Sequence, residues 1–202
     1  MNDKIKVKVI YESDNQNFDR EFSKEQFSNF NELVNFFQTE KLNSVLVGMK
    51  INGKDIPMKF YDELKGAYFE GGEEVELTFD DLYGLVKKLL LEGKEYIDKI
   101  EKSLENVSKE VMLNTEEGHK MLKALAEGLQ AMNTIINQAS NVLNKQFISD
   151  EDMEKQKEIL EKIIESQSNA DNVEISDILD YDFPQILDMF KDAFERAINE
   201  IE

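Results

Sequence analysis

Three acids, Asp177, Asp180 and Asp182, stand close together near the C-terminal end of the chain. Carboxylates at such spacing can offer hard oxygen ligands to a divalent cation or act as an acid–base pair. They define one reading of the chain, a carboxylate-metal enzyme. The surrounding sequence does not strengthen it. There is no Glu-x-x-His repeat of a di-iron bundle and no calcium-binding EF-hand loop. As helix caps and a solvated face the same acids need no metal. His119, between Gly118 and Lys120, is the chain's single histidine, and there is no cysteine. A thiolate nucleophile, a thiolate metal site, a disulfide and any site needing two histidines of one chain are thereby excluded. His119 could move a proton, but no partner for it is visible in the sequence. Phosphate-cradling glycine loops, nucleophile elbows and dinucleotide fingerprints do not occur. The expectation is a chain with no catalytic residue and no cofactor.

Charge narrows the partners. The formal net charge is −19 over 202 residues, and most of the excess lies after residue 80. A nucleic-acid groove or an anionic membrane surface calls for the opposite sign, so neither is expected as a partner. A basic or helical protein is. No apolar run is long enough to span a bilayer. The first residues, Met1-Asn2-Asp3-Lys4-Ile5-Lys6-Val7-Lys8, read as a charged strand and not as a signal peptide. The expected location is the cytoplasm.

The elements that must position these residues change character at Thr78 to Leu82. Before that point apolar residues alternate or come in short runs; after it they recur every three or four residues. Ile5, Val7 and Val9 alternate with lysines in a first strand. Phe18 to Phe22 returns from the polar turn at residues 13–17. Phe30, Leu33, Val34, Phe36 and Phe37 predict a helix over 30–41. Val45 to Ile51 is a strand ended by Asn52-Gly53, a tight-turn pair. Tyr61 to Phe69 reads as a short helix or turn, and Gly71-Gly72 opens a last strand, Glu74 to Phe79. Asp80-Asp81 then caps a long helix. Asn114-Thr115 breaks it and caps a second, and Ser149 caps a third with Met153, Gln156, Ile159/Leu160 and Ile163/Ile164 on one face. Residues 166–172 read as a loop. Pro184 either kinks the last helix or starts a new one capped by Asp182. Gly93 and Gly128 lie on apolar seams, where close packing against a bulky side chain is the simplest reason for glycine. The predicted fold is α+β, with a small domain over 1–79 and a helical hairpin or four-helix-type bundle over 80–202.

The order strand, strand, helix, strand, turn, strand, with Ile51-Asn52-Gly53-Lys54 and Gly71-Gly72-Glu73-Glu74, resembles the β-grasp or ubiquitin-like fold, and within it the bacterial sulfur carriers. Carriers act through a free C-terminal Gly-Gly. Here the Gly-Gly is internal and the chain runs from Phe79 into helix, so the resemblance implies a β-grasp-like domain without carrier chemistry. The run Asp177 to Pro184 resembles a stretch of uncharacterised bacterial proteins and implies no activity.

Aromatic residues are dense in the first domain. Most must form its core. Phe36 and Phe37 are adjacent on one helix and cannot face the same way, so Phe36, Phe37, Tyr68 and Phe69 are the candidates for a protein-binding patch. The methionines at 112, 121, 132, 153 and 189 fall on apolar stripes and read as core filling. Leftover apolar surface on the long seams would allow homodimerisation. The reading that follows is a non-enzymatic cytoplasmic interaction or adaptor protein. The alternative among binding functions is a secretion or flagellar-type chaperone, which an exposed apolar groove over the second or last long helix would favour.

Overall fold

The computed structural model describes residues 3–201. The fold is α+β, a five-stranded mixed sheet followed by a helical region. The chain divides into two compact units, Met1–Leu85 and Val86–Glu202. The division falls inside the first turn of a helix and not at residue 79. The last strand runs on to Asp81, and the Leu82 N–H donates to the Asn43 carbonyl at 2.8 Å, which ties that turn to the sheet.

In the first unit the strands are β1 (Lys4–Tyr11), β2 (Gln16–Ser23), β3 (Ser44–Ile51), β4 (Lys54–Ile56) and β5 (Glu74–Asp81), in the order β2-β1-β5-β3-β4. β1 and β5 are parallel, with Val7 opposite Val75, and the other pairs are antiparallel. The period of two decides which face is buried. Ile5, Val7, Val9 and Tyr11 alternate with exposed lysines, and Val75, Leu77 and Phe79 fill the same face. Helix α1 (Phe30–Glu40) places Phe30, Leu33, Val34 and Phe37 in this core. Its N-terminus is closed by Asn29, whose side chain accepts from the Glu32 N–H. At the other end the carbonyls of the last turn lack helical partners, and the Tyr11 hydroxyl donates to that of Phe37 at 2.9 Å. Burial and the Glu40 carboxylate push the Tyr11 phenol up. β4 has no burial pattern in the sequence, since only Ile56 in it is apolar. It forms because Asn52 and Gly53 take φ values of 51° and 76°, returning the chain onto β3. The Gly71-Gly72 pair serves the same end. Both residues lie at positive φ, and the Gly72 N–H donates to the Lys4 carbonyl. After a short helix α2 (Tyr61–Leu64) this turn delivers the chain to β5.

The solvent face of the sheet is a ladder of opposite charges. Glu76 accepts from Lys8 at 2.9 Å and from Lys50 at 3.1 Å. Those bonds, Lys8 first, hold its carboxyl below the ordinary glutamate range. A group with a lowered folded-state pKa stabilises the fold above its unfolded pKa, and that contribution is lost as pH falls through the folded value. The first unit is therefore expected to weaken on acidification below about pH 4.3, the ordinary glutamate value. In Glu76→Gln the slope of stability against pH in that window should be shallower. Amide exchange of β5 against pH measures this, and an unchanged slope would contradict the assignment.

The second unit holds most of α3 (Leu82–Met112) and all of α4 (Glu116–Leu143), α5 (Asp150–Ser168), α6 (Asn172–Asp177) and α7 (Phe183–Ile201). α3, α4 and α5 start at the caps read from the sequence. Asp81 accepts from the Gly84 N–H, Thr115 from Gly118 and Ser149 from Asp152. Asn114 and Asn144 take left-handed φ values between helices. The core is aliphatic along α3 and α4, and Phe183, Phe190 and Phe194 of α7 are fully or almost fully buried. The predicted loop at 166–172 is shorter. α5 continues through Ser168, and the buried Ser166 hydroxyl donates to the Lys162 carbonyl and to Glu174. Phe147 and Ile148, in the α4–α5 connection, are buried as well. Arg196 fixes this connection by donating to the Phe147 carbonyl at 2.6 Å.

Pro184 lies in the first turn of α7, as one of the two alternatives has it, but no cap precedes that helix. Residues Ile178–Asp182 form a π-helical turn that joins α6 to α7, with the Phe183 N–H donating to the Ile178 carbonyl. Proline lacks the N–H that would reach Asp180, and its ring would strike that carbonyl. The wider turn relieves both problems. Asp182 lies within this turn and is not a cap.

Candidate functional site

The carboxylate trio does not assemble. Asp177 and Asp180 are exposed, and Asp182, half-buried, lies 3.7 Å from Lys162. Among the described residues no three of His, Cys, Asp and Glu are gathered to hold a metal ion. Asp177 and Asp180 face solvent, whereas Asp182 sits beside Lys162 of α5. His119 is exposed, with Nε2 3.0 Å from the Asn114 Oδ1 across the α3–α4 turn.

The aromatic patch is largely core. Phe37 is fully buried, because it continues the Phe30–Leu33–Val34 stripe of α1. Phe36, on the flank, is half-buried and packs edge-on against Phe22 and Phe27. Phe69 is half-buried with its ring 6.4 Å from Phe30. Of the four, only Tyr68 projects, with 81% of its surface exposed.

The glycines on the seams are packing sites. A Cβ at Gly128 would lie 2.8 Å from the Tyr96 hydroxyl, and one at Gly93 would meet the ring of Phe194. The methionines divide. Met132 is buried, Met121 and Met189 are half-buried, and Met112 and Met153 are exposed.

Met153 belongs to the feature that sequence periodicity blurred. On α5 the apolar residues form two stripes and not one. Ile159 and Ile163, with Gln156, face the core. Met153, Leu160 and Ile164 lie about 90° further round the helix, by 100° per residue, and line open space. Ile164 is 61% exposed. Opposite them on α4 stand Leu122, Leu125, Ala126 and Leu129, and a groove of about 480 Å³ runs between the two helices, with Phe183 in its wall. It continues past Asn133 and Met153 towards the Asn144 end of α4. The apolar stripe of α5 is bordered on its outer side by Asp150, Glu154, Glu158, Glu161 and Glu165. Spacings of four, four, three and four put these on one face, and all are exposed. Lys157 is caught in this field. The hydrogen bond it donates to Glu154 and the charges of Glu154, Glu161 and Glu158 raise its pKa. The α4 wall differs. It has His119 and Lys123 at one end, and from Gly128 to Asn144 it carries no charged side chain.

The sequence pattern of a domain of unknown function, DUF8042, matches residues 88–193. The chain belongs to this family. The DUF8042 region holds most of α3, the whole of α4, α5 and α6, and the first half of α7. Every residue lining the groove falls within it. The sheet lies outside it. No curated protein and no solved structure matches the chain. No described helix is long and apolar enough to cross a membrane.

Proposed function

We propose that this chain is a non-enzymatic, cytoplasmic protein-interaction protein, and that its DUF8042 region supplies the principal docking surface. The observation that carries the reading is the α4–α5 groove. Its floor is apolar, its rim is polar, and it holds Ile164 and Met153 in the open. That is the anatomy of a surface built to be covered by another protein. The net charge of −19 favours a basic protein over nucleic acid or an anionic membrane.

We read the first unit as a β-grasp domain. The order β2-β1-β5-β3-β4, with parallel β1 and β5 at the centre and α1 across one face, supports this. Its Gly-Gly is spent on the turn before β5, so it works as a recognition domain and not as a carrier. Tyr68 is its most exposed aromatic.

A second reading, a chaperone that holds helical export substrates, is favoured by the position of the groove on α4 and by Met153 beside it. Affinity capture of the intact chain from native cell extract tests the shared claim. A protein partner at fixed stoichiometry is expected. Recovery of the chain alone would contradict both readings.

A further inference from the structure

The groove also specifies the chemistry of its occupant. We propose that it receives an amphipathic α-helix of a partner protein, apolar face inward, with a basic flank laid along the Glu154–Glu158–Glu161–Glu165 row. This rests on the protein-interaction reading and names the partner class for it.

Three observations carry the inference. The first concerns the backbone. Both walls are helices whose main-chain groups bond within the helix, so no strand edge is offered to an extended peptide. An occupant in apolar contact must satisfy its own backbone, and a helix does so. The second concerns size. From Met153 to Gln167 the α5 wall is about 21 Å long at 1.5 Å per residue, room for about four turns. The third concerns charge. The acids lie on one side only, the outer side of α5, while α4 from Gly128 onward is neutral. A helix with one basic flank fits in a single orientation. The same asymmetry argues against a second copy of the chain. A two-fold contact of α5 on α5 would set this acid row against itself, in a chain already at −19.

The test uses the full chain and two fluorescent peptides of about five helical turns. Both carry leucines at helical spacing. One has lysines along one flank and the other has glutamates there. The Lys-flanked peptide should bind, with affinity falling as salt rises, and the Glu-flanked peptide should bind at least about tenfold more weakly. Ile164→Asp should cost about tenfold or more for the Lys-flanked peptide. Because Glu158 and Glu161 are exposed, Glu158→Lys with Glu161→Lys should fold normally and invert the preference between the peptides.

Equal binding of both peptides, or no inversion in the double variant, would overturn the proposal. So would a dimer abolished by Ile164→Asp with no peptide bound, since the occupant would then be a second copy. If neither peptide binds while extract still yields a partner, the groove assignment fails and the protein-interaction reading stands.

Discussion

Gly118→Ala is expected to destabilise the helical unit by about 3 kcal/mol, the upper part of the range for overpacking. A Cβ at this position would lie 2.6 Å from the carbonyl carbon and oxygen of Glu110 and 2.8 Å from the Val111 nitrogen. These are backbone atoms of α3, so no rotamer change relieves the overlap. The neighbourhood is already fixed. The Thr115 hydroxyl accepts from the Gly118 N–H and donates to Glu110, and the Thr115 N–H donates to the Glu110 carbonyl. Alanine would gain about 1 kcal/mol in helix propensity, which does not offset forcing α3 and α4 apart at their shared turn. Gly66→Ala is the control, because a Cβ there meets nothing within 4 Å. Urea unfolding followed by circular dichroism should show the midpoint fall for Gly118→Ala and hold for Gly66→Ala. Equal midpoints would mean that the α3–α4 contact is looser than described.

Gly93→Ala is the second large effect, and it differs because the obstacle is a side chain. The new methyl would lie 3.1 Å from Cδ2 of Phe194 and closer still to Cε2. Both residues are buried, and Phe194 has no exposed surface. The ring must leave its place in a packed core, at a cost of about 1–3 kcal/mol. Phe194→Leu alone should also destabilise, by leaving space beside Gly93. Together the two should be milder than their sum by about 1 kcal/mol or more, because the methyl occupies space the ring has vacated. Strict additivity in the double-mutant cycle would show that Gly93 is not held small by Phe194.

Most of the architecture is legible in the sequence, for physical reasons that differ by element. β1 and β5 announce themselves because one face is buried and the other bears charge, so alternation is strict. The helix starts are legible because Asp81, Thr115 and Ser149 are caps whose side chains do what such residues do at a helix N-terminus. Elements without a repeating burial pattern are not legible. β4 is three residues long and follows from the turn before it. Phe147 and Ile148 are buried within a connection, where no period marks them. The π turn answers a steric conflict at Pro184 that can be resolved in several ways.

The candidate site is less legible than the fold. The acids at 177, 180 and 182 are close in sequence, but two of them face solvent and Asp182 lies beside Lys162. Phe37 is core because it completes the α1 stripe. The groove was hidden because Ile159/Leu160 and Ile163/Ile164 look like one wide apolar face. Only the placement of α5 beside α4 shows that half of that face is left open. A signal was nevertheless present, in the five acids that follow the second stripe at helical spacing.

The central claim is that the α4–α5 groove is where this chain meets its partner. The most direct measurement places a photoreactive residue at Ile164 of the intact chain in native extract, and another at the exposed Asp192 of α7. A discrete protein adduct at Ile164, competed away by the Lys-flanked peptide and absent from Asp192, is the predicted result. Adducts at Asp192 with none at Ile164, or none at either position, would contradict it.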